Sequence, residues 1–240
     1  MAGEPQTLRI GSRASPLAKI QAKNFGNALM KIDPHITVEY VTLRTSGDKF
    51  STQRLSTIGG KGLFTKELEE ALLSHEIDLA VHSLKDMATK LPPHLILGAI
   101  LPREDPRDAF LSKDVHSFLE LPRYSVIGTS SLRREAFCRY WRPDLRVIPF
   151  RGNVETRLRK LSEGEANGTF LAAAGLKRLG LEDCIQEILE PERMLPAVAQ
   201  GCLAIECREQ DESLVDLLRP LHHEKSFYEV KAERAFLREL

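Results

Sequence analysis

Short apolar runs, each ending in a turn of small residues that opens a helix, recur along this chain. Thr7 to Ile10 alternates in strand fashion and stops at Gly11. Ser15 then suits a helix N-cap and Pro16 the first helical position. Leu17, Ile20, Ala28 and Leu29 predict the apolar face of a helix running to about Met30. Thr37 to Leu43 reads as a second strand, followed by the turn T-S-G-D. A Gly-rich loop carrying Lys61, residues Gly59 to Gly62, precedes a helix with the face Phe64, Leu68, Ala71 and Leu72. Ile77 to Val81 is almost continuously apolar, the pattern of a buried parallel strand, and ends in H-S-L-K-D.

Pro92, Pro93, Pro102 and Pro106 flank a further strand and mark a crossover near residues 101–107 into a second half. There, between Val126 and Lys160, V-I-G-T-S-S-L-R-R-E-A and V-I-P-F-R-G-N-V-E-T-R-L-R-K each predict a strand, a turn and a helix start. Phe170 to Ala174 is another apolar strand, with Gly175, Lys177 and Arg178 beyond it. M-L-P-A-V-A-Q-G-C-L-A-I-E-C-R reads as a strand returning to the first half, with a helical segment at Leu214 to Leu218. Strands and helices alternating in two halves predict an α/β protein with mainly parallel sheets in each half.

Composition changes this picture mainly by exclusion. The 240 residues hold 34 basic and 34 acidic side chains, a formal net charge of +0, against a general binder of nucleic acid or membrane surfaces. No run of about 18 apolar residues is present, and M-A-G-E-P-Q-T has no apolar signal core, so a cytoplasmic location is expected. Cys138, Cys184, Cys202 and Cys207 form no C-x-x-C pair and no metal-ligand spacing, so reduced, packed thiols and no metal are expected. The adjoining His222 and His223 read as a solvated pair.

With a neutral total, the local cations need a specific explanation. Arg13, Lys85, Arg133, Arg134, Arg151, Arg157 and Arg178 all lie within a few residues of the C-terminal end of a predicted strand. In open α/β sheets that is where ligands bind, and guanidinium forks suit planar carboxylates. Arg139, Arg142, Arg159 and Lys160 lack that placement and read as surface charge. Asp86 follows an apolar strand beside Lys85, so it stays ionised among cations and is the carboxylate best placed for chemistry. G-G-K-G-L-F lacks the phosphate-loop spacing, which argues against a nucleotide-binding enzyme.

These residues sit in motifs that resemble the porphobilinogen deaminase (hydroxymethylbilane synthase) family. The resemblance is carried by I-G-S-R-A-S-P-L-A, T-S-G-D, I-G-G-K-G-L-F-T-K-E-L-E, A-V-H-S-L-K-D, P-R-E-D-P-R-D-A-F, V-I-G-T-S-S-L-R-R, R-G-N-V-E-T-R-L-R-K-L, A-A-A-G-L-K-R-L-G-L, L-P-A-V-A-Q-G and A-E-R-A-F-L. It implies a transferase of haem-type tetrapyrrole biosynthesis that condenses four porphobilinogen molecules head to tail, releasing ammonia each time. The implied fold is two periplasmic-binding-protein-like α/β domains around a cleft, with the start of a small third α/β domain. On this chain the implied domains fall at 1–102 with 199–219, at 103–198, and at 220–240. A cytoplasmic monomer acting on a small-molecule substrate, without nucleic acid or membrane, is implied as well.

The same resemblance implies residue roles. Asp86 matches the catalytic aspartate, which contacts pyrrole N–H groups and faces the cation left when ammonia departs. Arg13, Arg133, Arg134, Arg151, Arg157 and Arg178 match carboxylate-binding arginines. Ser15, Ser83, Thr129 and Ser131 match hydrogen-bond donors, and Lys61 and Lys85 match basic contacts to substrate or to the family's dipyrromethane cofactor. Two departures stand out. Thr57 occupies a position where bacterial members often carry lysine, and the cofactor-attachment cysteine expected soon after A-E-R-A-F-L is not among the four present. A chain without covalent cofactor and with little activity is therefore expected. The competing class is a non-enzymatic two-domain module that binds anions.

Overall fold

The computed structural model describes residues 6–49 and 62–239. These form two compact units, the first holding 6–49, 62–104 and 202–239 and the second 105–201.

In the first unit, β1 (Gln6–Arg13) leads into α1 (Pro16–Ile32) and then β2 (Ile36–Leu43), which lies parallel to β1 in register from Gln6–Ile36 to Arg13–Leu43. Ser15 caps α1 by accepting from the Ala18 amide, and Pro16 takes the first turn, where its missing N–H is harmless. After a short turn of helix, α2 (Ser46–Lys49), come α3 (Lys66–Leu73), β3 (Leu79–Ser83) and β4 (Leu95–Ile100). The chain returns from the second unit as β10 (Leu203–Arg208), and the sheet order is β2-β1-β3-β10-β4. Leu8, Ile10, Phe25, Leu29, Val81 and Ile205 build the core on the α1 face, and Leu68, Leu72, Ile77 and Ala80 the core under α3. Gly11 lets that second layer close, because a Cβ there would stand 2.3 Å from Ile77 Cδ1. The last helices, α7 (Glu212–Leu218) and α8 (Glu224–Glu239), belong to this unit.

The second unit runs β5 (Asp108–Ser112), β6 (Val126–Gly128), α4 (Leu132–Trp141), β7 (Arg146–Ile148), α5 (Val154–Ser162), β8 (Gly168–Ala172), α6 (Ala173–Arg178) and β9 (Glu187–Leu189). Its sheet order is β7-β6-β8-β5-β9. Phe110, Phe118 and Phe170 meet in the core with ring centroids 5.3–5.9 Å apart.

Several expectations change. The sheets are mixed rather than mainly parallel: β10 runs antiparallel to β3 and β4, and β5 to β8 and β9. The buried face of α1 is Ala18, Gln21, Ala22, Phe25, Gly26 and Leu29, so it is rotated from the face expected at Leu17 and Ile20. A buried glutamine and glycine mask that stripe in the sequence. Phe64 lies before α3 rather than on it. The strand expected through Ala174 stops at Ala172, where α6 begins. His222 and His223 are half-buried and answer the edge strand: the His222 ring accepts from the Ile100 amide at 3.3 Å, and the His223 amide donates to the Ile100 carbonyl at 2.8 Å. Arg142 is a staple rather than surface charge, tying Asp144 to the Leu119 and Leu121 carbonyls.

Candidate active site

In the first unit the site residues collect at the carboxyl ends of β1 and β3, which lie side by side in parallel. Arg13 is the last residue of β1 and Ser83 the last of β3. A single 3-10 turn, Leu84–Asp86, follows β3 and carries Lys85 and Asp86. Arg13 Nη1 stands 3.7 Å from Asp86 Oδ2, with both side chains between a fifth and a third exposed. The Arg13 guanidinium also lies over the Phe64 ring, 4.2 Å from its centroid. This stacking holds a cation flat without using its N–H groups. The Ser83 hydroxyl is 3.4 Å from the buried Gln21 side chain. Lys85 is exposed on the same turn. The arrangement places a carboxylate, a cation and an aromatic face together at a sheet's ligand-binding edge.

Behind that edge, on the α3 side of the sheet, His82 Nε2 lies 2.9 Å from Glu206 Oε2, with both residues buried. Glu69 titrates above the ordinary carboxylate range, first because of burial and then through the nearby Glu206 charge.

In the second unit the same edge is built from α4, α5 and α6. Thr129 accepts from the Ser131 amide at 3.2 Å, and Ser131 caps α4 by accepting from the Arg134 amide. Ser15, Thr129 and Ser131 thus serve as acceptors within the backbone, and each hydroxyl still has its proton to donate. Arg133 and Arg134 stand in the first turn of α4, where cations oppose the helix dipole. Asp108, the first residue of β5, compensates them. Because β5 is antiparallel, Asp108 pairs with Ala172 and so lies at the carboxyl end of β8. Arg133 donates from Nη1 and Nη2 to the two Asp108 oxygens at 2.7 and 3.1 Å, and from Nη1 to the Leu195 carbonyl at 2.7 Å. Arg134 donates from Nε and Nη2 to Asp108 Oδ1 at 2.9 and 2.6 Å, and from Nη1 to the Phe170 carbonyl at 2.8 Å.

Asp108 is fully buried, which alone would push its pKa up; Arg134 and Arg133 outweigh that and hold it below the ordinary carboxylate range. Burial pulls the Arg134 guanidinium down from its ordinary value, with the Asp108 charge opposing. The two arginines that look equivalent in sequence therefore differ. Arg134 is 8% exposed and directed inward, whereas Arg133 is 22% exposed. Arg157 Nε donates to the Gly152 carbonyl at 2.9 Å, curling its side chain over the turn that holds Arg151. Arg178 ends α6, and its Nη2 donates to the Gly201 carbonyl at 2.7 Å. Thr57, Gly59 and Lys61 lie outside the described residues.

Sequence reasoning missed three contributors: Asp108, Phe64 and Gln21. For Asp108 a signal exists, since an ionisable residue heading the apolar run A-F-L must be paired when that run is buried. Nothing in the sequence separates Phe64 from a core residue. Among the cysteines, burial pushes the Cys138 and Cys207 thiols up to about 11, leaving them protonated and poorly nucleophilic at neutral pH.

Known proteins resemble this chain in sequence and in fold. The family model described as "Porphobilinogen deaminase, dipyromethane cofactor binding domain" matches residues 8–216. A porphobilinogen deaminase from Syntrophomonas wolfei is 49% identical over 235 residues, covering 98% of this chain and 77% of the relative. One from Syntrophotalea carbinolica is 52% identical over 233 residues, covering 97% of this chain and 74% of the relative. Among solved structures, a putative methionine-binding lipoprotein from Bacillus subtilis matches with TM-score 0.54 at 15% identity, covering 92% of each chain. A periplasmic substrate-binding protein of an ABC transporter from Coxiella burnetii matches with TM-score 0.55 at 13% identity, covering 94% of this chain and 96% of the other. At such identities the structural likeness shows the fold alone, the two-domain periplasmic-binding-protein-like α/β fold.

Proposed function

The chain belongs to the porphobilinogen deaminase family, and from that premise we propose that Asp86 is the carboxylate around which its chemistry turns. The protein is a hydroxymethylbilane synthase, a transferase that joins porphobilinogen molecules head to tail with release of ammonia in tetrapyrrole biosynthesis. The observation that supports the role of Asp86 is its cluster with Arg13 and Phe64 at the carboxyl ends of β1 and β3.

When the C–N bond of porphobilinogen's protonated aminomethyl group breaks, ammonia leaves and positive charge spreads over the pyrrole and its exocyclic carbon. A carboxylate fixed beside the ring stabilises that charge as it develops and accepts a hydrogen bond from the pyrrole N–H. Asp86 is suited to this because Arg13 pairs with it at 3.7 Å and orients it, while Phe64 keeps Arg13 flat. The attacking pyrrole then forms the new C–C bond and loses its ring proton, and Asp86, the carboxylate on this turn, is the group to accept it. Ser83 and Lys85, at the end of β3 and on the same turn as Asp86, serve as contacts for the acetate and propionate groups.

The donor set fits the family's dipyrromethane cofactor at its carboxylates. Arg133, Arg151, Arg157 and Arg178, with the hydroxyl protons of Thr129 and Ser131, are the residues that would hold them. When bound, the group supplies an electron-rich pyrrole carbon able to attack the next aminomethylpyrrole. The buried Cys138 and Cys207 do not fit a thioether anchor.

The test is direct. The chain incubated with porphobilinogen and an unanchored dipyrromethane is expected to release ammonia and yield a linear product that closes to uroporphyrinogen and is oxidised in air to uroporphyrin, with little release when the dipyrromethane is left out. Carboxylate binding without ammonia release would instead identify a binding module.

A further inference from the structure

Resting on the reading of Arg133 as a carboxylate ligand, we propose that Asp108 is a positioning residue for it. Anchored from behind by Arg134, the Asp108 carboxylate holds Arg133 so that a second, complete binding edge of the guanidinium faces outward.

The geometry of the donors carries this. A guanidinium has five N–H groups, and two of its edges present parallel pairs that match a carboxylate. Arg133 spends its end-on pair, one N–H from Nη1 and one from Nη2, on the two oxygens of Asp108. The other Nη1 hydrogen goes to the Leu195 carbonyl. What remains is Nε–H and the outer Nη2–H, which together form the side-on edge. No described residue accepts from that edge, and the side chain is 22% exposed, so the edge is within reach of a ligand. Arg134 is used the opposite way. Its own side-on edge is spent on Asp108 Oδ1, its Nη1 on the Phe170 carbonyl, and the side chain is nearly buried. One arginine locks the carboxylate, and the carboxylate locks the other arginine.

Charge counting agrees. Two guanidiniums against one carboxylate leave a surplus of one positive charge, which only Arg133 can present to an anion. Asp108 is wholly buried at the head of β5, so it meets a ligand only through Arg133. The opposing account has Asp108 competing with the ligand for Arg133, and the two accounts differ in sign.

The experiment measures, by titration calorimetry, binding of an unanchored dipyrromethane bearing two acetate and two propionate groups. It compares the unaltered chain with Arg133→Met, Asp108→Asn and the double variant, with thermal unfolding recorded for each. Arg133→Met and Asp108→Asn are each expected to weaken binding about tenfold or more, the scale of a lost charged hydrogen bond. In the double variant the loss is expected to stay within about twofold of Arg133→Met alone, because residues acting through one another do not add. Unchanged or tighter binding in Asp108→Asn, or fully additive losses, would overturn the proposal. If Arg133→Met itself leaves binding unchanged, the ligand reading of Arg133 fails first. Should Asp108→Asn not fold, Arg134→Lys replaces it, since a lysine keeps the charge but not the fork. It is expected to weaken binding non-additively with Arg133→Met, and unchanged binding there overturns the proposal equally.

Discussion

Arg133 and Arg134 are neighbours in sequence with different work, and the difference is set by a residue 25 positions earlier. Sequence spacing places both at a strand's end, which is why they read as a pair of carboxylate ligands. It cannot say that Asp108 arrives on an antiparallel strand and claims both. A stability difference follows. Arg134→Met removes the inward fork from a buried carboxylate and is expected to cost about 3 kcal/mol. Arg139→Ala removes one exposed partner of an i,i+4 pair with Glu135 and is expected to cost no more than about 0.5 kcal/mol. Urea denaturation of both variants checks the contrast, and equal losses would show that Arg134 is not held as described. The position of Asp86 just beyond β3 was legible because the residue is polar and closes the turn after an apolar strand. Phe64 was not, because an aromatic beside a helix looks the same whether it packs in a core or under a cation.

At the scale of elements, the helix starts were read well where local chemistry decides them. Ser15 with Pro16, and Ser131 before Leu132, are caps whose side chains answer backbone amides one turn on. The α1 face was read poorly because Gln21 and Gly26 occupy it, each for a neighbour's sake: Gln21 meets Ser83, and Gly26 makes room for the Tyr40 ring. Gly11 is the same kind of position. Gly11→Ala is expected to destabilise the chain by about 2 kcal/mol through overpacking against Ile77 and Leu68, measurable by urea denaturation. An unchanged midpoint would mean that the α3 layer gives way freely.

The entrance to β5 makes a pH prediction. Hydrogen bonds from Arg107, against the penalty of burial, bring Asp105 down to about 2. A carboxylate held below its ordinary pKa of about 3.9 stabilises the fold fully above that value and loses the contribution as pH falls through the folded value. Stability is therefore expected to decline from about pH 4 toward about pH 2. Asp105→Asn is expected to flatten that decline in urea titrations across the window. A variant retaining the full slope would contradict the role of Arg107.

For the whole molecule, strand–helix alternation was enough to reach an α/β protein. The mixed sheets were not legible, since an apolar strand reads alike in either direction. Nor was the shared plan of the two units, in which three parallel strands are followed across the sheet by an antiparallel strand and an outer one. That plan explains why the cations recur: each unit presents the carboxyl ends of its parallel strands, and both edges carry arginines and hydroxyls. On the proposed reading, Asp86 belongs to one unit and the Arg133 edge to the other. Asp86→Asn keeps the shape of the side chain and removes its charge, so the measurement is ammonia release from porphobilinogen by the variant beside the unaltered chain, each supplied with an unanchored dipyrromethane, with thermal unfolding as the control. Release at least about 100-fold slower at an unchanged unfolding temperature is the expected result, the scale of losing a group aimed at developing charge. Release at a near-normal rate would contradict it.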